Sequence, residues 1–397
     1  MKYLIIMLGL IGSILLLPNK VWSQNNLDNL LEGIAKNNKS IVAYNQLLEA
    51  KKLEYKTGLY LANPTLQYDY MKGTPANAGN QTDISAIQSF DFPTAYGKRK
   101  GVSGASIDKL DILANAHRQE ILLETKLIYL ELVYLNKYQN QLRTRVVNAE
   151  QFQKAIQQKY EKGDATLLDI NKGKMNLITL QNNLRSNANR IAELNQKLTE
   201  LNGGIDIVVA DSIYPLVDVA PSLDSIFTEA VKGDYKLQAI QQDQEISQKE
   251  EQLSKALALP KLEAGYRYQS ILGQNFNGFH AGISIPLFEN RNKVQSVKQQ
   301  TQYFSLLEAS HVNQHHNELE ALYNTVGSLK QSMDAYRKLL DNVNNEELLN
   351  RALQLGQISS IEYFMELTYF YAMYDDHLMV EQDYYSALAT LMSYELR

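Results

Sequence analysis

The chain has 397 residues, of which 21% are charged, with a net charge of −5 and no cysteine. That balance leaves no nucleic-acid footprint at the level of the whole chain. The missing thiols exclude disulfides, thiol nucleophiles, thiolate metal sites and a lipidated N-terminal cysteine. Read from the N-terminus, Lys2 precedes an apolar stretch from Leu4 to Leu17, and Val21 and Ser23 fit the −3 and −1 positions of a signal peptide over 1–23. That stretch is short for a bilayer-spanning helix, which needs about 20 residues, and no later run approaches that length.

From 26 to 60, Leu27, Leu30, Leu31 and Ile34, then Ile41, Leu47, Leu48 and Leu53, recur at helical spacing. Pro64 ends this pattern and opens a β-hairpin over 63–92. Leu66, Tyr68 and Tyr70 share one face there and Thr65, Gln67 and Asp69 the other, with a turn-forming Gly73–Asn80 loop. No proline occurs from Thr94 to Lys162, enough for a helix about 100 Å long. Gly163 turns the chain into a second helix, Leu167–Leu201, which completes a long helical hairpin over 94–202. A linker with two prolines occupies 203–225, and Ile226–Leu257 again reads as helix. The hairpin over 260–287 alternates more cleanly: Leu262, Ala264, Tyr266 and Tyr268, with Phe279, Ala281, Ile283 and Ile285, oppose polar or small residues. Helices at Asn290–Leu355 and Ser359–Tyr394 form a last helical hairpin over 290–395, and the narrow apolar stripe of these helices is that of a coiled-coil seam.

These landmarks occur twice in one order. Asn63-Pro64-Thr65-Leu66 returns as Leu259-Pro260-Lys261-Leu262, Phe92-Pro93 as Ile285-Pro286, and Gly163 with Asp169 as Gly356 with Glu362, at offsets of 196, 193 and 193 residues. The chain therefore reads as an internal two-fold repeat, with a first copy over 24–202 and a second over 226–397. Strand segments of about 10 residues with one apolar face are the pattern of outer-membrane barrels, although an antiparallel sheet on a soluble core gives the same alternation. Four strands cannot close in lipid, because an open edge leaves backbone groups unsatisfied. Three chains pooling their strands make 12, above the 8 of the smallest barrels.

In the motifs Asn63–Leu66, Leu259–Leu262, Ser284–Phe288, Tyr160-x-x-Gly163 with Asp169, and Gly356 with Glu362, the chain resembles the TolC-like outer membrane efflux family over essentially all of 26–396. The resemblance implies a mainly α fold with a small β part. Long coiled-coil helical hairpins would form a periplasmic α-barrel, and four strands per chain would join a homotrimeric 12-stranded transmembrane β-barrel. It implies an exit duct in the cell outer membrane with a long periplasmic portion, working with a periplasmic adaptor and an inner-membrane RND-type pump. Gln88-Ser89-Phe90 leading to Gly97-Lys98-Arg99 resembles the subgroup serving heavy-metal pumps, although the spacer at 91–96 departs from its usual form. Drug or protein export through the same duct, or a periplasmic coiled-coil structural protein, are the alternative readings.

By the same resemblance Asp169 and Glu362 line the periplasmic entrance, with Glu366 one turn beyond Glu362, while Tyr160, Gly163 and Gly356 form adaptor-contact turns. Acids at a helix N-terminus are favourable in any case, and glycine commonly ends helices. Lys98, Arg99 and Lys100, with Arg291 and Lys293 in the second copy, are candidates for a membrane rim facing outer membrane lipid, or for a solvated charge run. His311, His315 and His316 read as a solvated or interhelix cluster rather than a metal site. No nucleophile elbow, phosphate loop or dinucleotide fingerprint occurs, so neither enzyme activity nor a cofactor is expected.

Overall fold

A computed structural model describes residues 20–215, 222–288, 290–342 and 345–396. Apart from residues 20–23, the expected signal peptide lies outside them, as does 216–221 of the expected linker. Helices account for 73% of the described residues, which also include a four-stranded antiparallel sheet.

The first helical stretch is two helices, α1 (Lys20–Asn37) and α2 (Lys39–Tyr55), rather than the continuous helix expected over 26–60. Asn38 makes the break. Its side chain accepts from the Ile41 N–H at 3.0 Å and donates to the Leu201 carbonyl at 2.7 Å, so a buried amide caps α2 instead of continuing α1. Strands β1 (Thr65–Met71) and β2 (Gln81–Phe90) lead into α3 (Pro93–Glu161), and α4 is Leu167–Leu201.

The stretch expected as one helix over 226–257 is also two, α5 (Leu223–Gly233) and α6 (Tyr235–Leu257). Asp234 stands between them in extended conformation, its carboxylate accepting from the Leu237 N–H at 2.9 Å. Aspartate supplies that N-cap more readily than it continues a helix. Strands β3 (Lys261–Ile271) and β4 (Gln274–Ser284) follow, then α7 (Lys293–Asn342), α8 (Asn345–Gln354) and α9 (Ser360–Leu391).

The chain packs as two compact units. One, formed by the described residues within 20–42, 118–233 and 317–396, holds the apolar core. There Ile34, Leu132, Val133 and Leu198 are fully buried beside Tyr129 and Leu130, and a second cluster gathers Ile226, Leu388 and Leu391. Two ion pairs join α3 to α9 in this unit. Arg145, almost wholly buried, pairs with Asp375 at 2.6 Å and covers the Tyr371 ring, and Lys137 pairs with the buried Glu381.

The other unit, residues 43–117 and 234–316, holds the sheet, in the order β1-β2-β3-β4. Its register places Leu66, Ala86, Tyr266 and Phe279 in one cross-strand row, and Asp69, Asp83, Gln269 and Phe276 in a row of the opposite face. A two-residue turn, Leu272-Gly273 with both φ positive, joins β3 to β4.

Candidate functional site

Directly paired residues of antiparallel strands lie on the same face, so the register sorts the sheet into two chemistries. One face carries Leu66, Tyr68, Tyr70, Ile84, Leu262, Tyr266, Phe279 and Ile283, all exposed, with Phe279 at 96%. The other carries Gln67, Asp69, Asp83, Ser85, Glu263, Arg267, Gln269 and His280, with the exposed Met71 and Phe276 near its strand ends. Its polar groups bond to one another: Gln67 donates to Asp69 and Gln81 to Asp83, both at 2.9 Å, while Arg267 reaches Asp83 at 3.3 Å and Ser89 donates to Glu263 at 3.3 Å. The polar face holds a bonded network, centred on Asp83 Oδ2, while the apolar face stands bare. A soluble sheet does the reverse, burying its apolar side. At about 3.3 Å per residue, the eleven-residue β3 and β4 reach roughly 36 Å, and at a 45° tilt roughly 25 Å, the height of the apolar band of outer-membrane barrels. No described helix is long and apolar enough to cross a membrane.

The turns after α3 and α8 are built alike. Gly163 adopts φ +85° and donates to Tyr160 O, and Asp164 N–H reaches back to Lys159 O at 2.8 Å. Gly356 adopts φ +68° and donates to Leu353 O, and Gln357 N–H reaches Ala352 O at 2.9 Å. Each is a Schellman closure, which needs a residue at positive φ. A side-chain carbon at either glycine would meet nothing within 4 Å, so conformation rather than space requires glycine here.

Three residues on, each helix opens with a capping box. Asp169 accepts from the Thr166 N–H at 2.9 Å and its hydroxyl at 2.7 Å, and Glu362 accepts from the Ser359 N–H at 2.7 Å. Both cap hydroxyls accept in return from the Asp169 and Glu362 N–H groups at 3.2 Å. The Thr166 hydroxyl, then its N–H, holds the Asp169 carboxyl below the usual carboxylate range. For Glu362 the Ser359 N–H comes first and the hydroxyl second. Both acids are thus the N3 residues of capping boxes opened by Thr166 and Ser359. Glu366 is exposed one turn beyond Glu362, and Tyr160 is exposed on the last turn of α3.

Periodicity did not reveal an apolar groove of about 580 Å³ between α4 and α9, lined by Met175, Ile361, Phe364, Met365 and Tyr369 with Lys172 at its edge. Nor did it reveal the acid that joins the histidines. Asp234, 77 residues before His311, meets its Nε2 at 2.6 Å, and His315 stacks on His311. His311 and His315 thus meet Asp234 across helices. Among the described residues no group of three His, Asp or Glu has the arrangement of a metal site. Lys98 donates to Gln252 at 2.7 Å, Arg99 pairs with Asp91 at 2.6 Å, and Lys100, Arg291 and Lys293 are exposed.

No family model and no curated protein sequence matches the chain. Solved structures do. A membrane protein from Pseudomonas aeruginosa superposes with a TM-score of 0.77 at 15% identity, covering 93% of each chain. The outer-membrane channel OprN gives 0.77 at 11%, covering 95% of this chain and 92% of its own. The fold is that of the TolC-like outer membrane channels. CusC, described for its transmembrane channel formation, also gives 0.77, at 13% identity and with 96% and 95% covered. This TolC-like fold is shared over 93–96% of the chain, at identities too low to carry more than architecture.

Proposed function

We propose that this chain is an outer membrane exit duct for efflux. Three copies pool four strands each into a 12-stranded barrel, and the long helices continue the wall into the periplasm as an α-barrel. The observation that carries this reading is the bare apolar face of the sheet opposite a bonded polar one. Lipid covers the first and a water-filled lumen the second. The unpaired edges of β1 and β4 meet those of neighbouring copies, as a membrane requires. The two halves are copies of one unit, a reading supported by their identically built turns.

At the far end of the helices, Asp169, Glu362 and Glu366 form the periplasmic entrance, and the turns at Tyr160, Gly163 and Gly356 receive a periplasmic adaptor that links the duct to an inner-membrane RND-type pump. Like charges gathered around one axis raise each other's pKa. The capping boxes act in the opposite sense on Asp169 and Glu362, holding both below the usual carboxylate range, which favours a cation-selecting ring. Heavy-metal cations are the cargo suggested by the sequence resemblance; drugs or a protein would pass through the same architecture. The duct performs no chemistry of its own.

The deciding experiment is purification followed by planar-bilayer recording. A detergent-dependent trimer with stable single-channel conductance is expected. A monomer that stays dispersed in water without detergent, and conducts nothing, overturns the proposal in favour of a periplasmic coiled-coil scaffold.

A further inference from the structure

The end of the sheet from which the helices leave is basic, and the opposite end is not. The ten residues flanking each strand at this end (55–64, 91–100, 251–260 and 285–294) hold seven Lys or Arg against three Asp or Glu, in a chain of net charge −5. Two of the three acids are already neutralised, Asp91 by Arg99 and Glu251 by Lys255, both at 2.6 Å. The third, Glu289, lies outside the described residues. Against Glu289 stand Lys56, Lys98, Lys100, Arg291 and Lys293, all exposed; of these, Lys98 donates to the Gln252 amide oxygen. The loops at the opposite end, 72–80 and 272–273, contain a single charged residue, Lys72.

Large apolar side chains stand among these cations. Tyr60 and Phe288 are 84% and 83% exposed, and Leu61, Ile285 and Leu287 are exposed beside them in sequence. A charge run that is merely solvated gives no reason for bare aromatic and aliphatic groups in the same segments. A bilayer interface does: amphipathic and aromatic rings settle at the headgroups, and Lys and Arg meet lipid phosphates just outside the hydrocarbon.

We propose that this end of the sheet is a basic collar that binds the anionic phospholipids of the leaflet facing the helices, with Tyr60, Leu61, Leu287 and Phe288 entering the interface and Lys56, Lys98, Lys100, Arg291 and Lys293 pairing with phosphates. The proposal rests on the sheet being a membrane-spanning wall. It adds a lipid class and a polarity: one end of the barrel is held electrostatically, the other is not.

The test titrates the detergent-solubilised full chain with phosphatidylglycerol or phosphatidylcholine in mixed micelles and reads the shift in melting temperature, which reports binding to the folded state. Phosphatidylglycerol is expected to act at a far lower mole fraction. Each cation removed should weaken that preference about fivefold, so the K98Q/K100Q/R291Q variant should lose roughly 100-fold. Salt at about 0.5 M, where the Debye length is about 4 Å, should suppress the preference in the unsubstituted protein, so the test stands even if the variant fails to fold. Equal response to both lipids, or a preference unchanged by salt, overturns the collar while leaving the barrel intact. Inorganic phosphate giving the same shift as phosphatidylglycerol overturns the lipid assignment. A protein that takes up neither lipid and stays in solution without detergent fails the membrane-wall reading itself.

Discussion

An arginine at Phe279 is the sharpest perturbation of the proposed wall. Phe279 lies at the middle of β4, 96% exposed, in a row with Leu66, Ala86 and Tyr266. If that row meets hydrocarbon at mid-depth, arginine costs about 2–4 kcal/mol per chain, and roughly 6–12 kcal/mol when three copies assemble. The matched control is Gln269→Arg on the other face, whose cross-strand neighbour is Asp83. There the new charge shares Asp83 with Arg267 and faces the proposed lumen, so only a small change is expected. The assay is urea titration of protein folded into lipid vesicles, followed by the unfolding-dependent shift of the trimer on a gel. Phe279→Arg should fail to assemble or unfold at much lower urea, while Gln269→Arg should behave as the unsubstituted chain. Equal tolerance at both positions would refute the assignment of faces, and a larger loss at Gln269 would reverse it.

At the turns, Thr166→Ala should cost about 1 kcal/mol of local helix stability and return the Asp169 carboxyl toward its ordinary value. Because that carboxyl is held low in the folded state, its contribution is present at neutral pH and lost as pH falls through the lowered value; cation selectivity of single channels should therefore fade at higher pH in Thr166→Ala than in the unsubstituted protein. Glu362→Gln should reduce cation selectivity in planar bilayers, and unchanged reversal potentials would argue against an acidic ring. Gly356→Ala, forced to φ +68°, should cost about 1 kcal/mol, measurable as earlier proteolysis at that turn. Arg145→Met leaves Asp375 without its partner and should lower helical stability in urea by about 2–3 kcal/mol, less than for a fully enclosed pair because Asp375 is partly exposed.

Much of the architecture could be read before any coordinates, because it is written in short-range periodicity. Alternation at period two marked Leu66–Tyr70 and Leu262–Tyr268 as two-faced strands, and the proline-free tract after Thr94 marked a long helix. Gly163 and Gly356 marked the turns, since positive φ is a local demand that glycine meets. The breaks at Asn38 and Asp234 escaped, because a capping amide or carboxylate within an apolar periodicity looks like a tolerated polar residue until its partner is known. For Asn38 part of that partnership is the Leu201 carbonyl, 163 residues away.

What the amino-acid order determined by itself was which side chains share a face, since that follows from the pitch of one strand or helix. Tertiary structure alone decided which faces stay bare and which groups meet across the chain. The exposure of Phe279, the Arg145–Asp375 and Lys137–Glu381 pairs between α3 and α9, the groove along Met365 and Tyr369, and the meeting of Asp234 with His311 all join segments distant in sequence. Periodicity carries no such information, because it fixes the direction of a side chain but not what lies opposite.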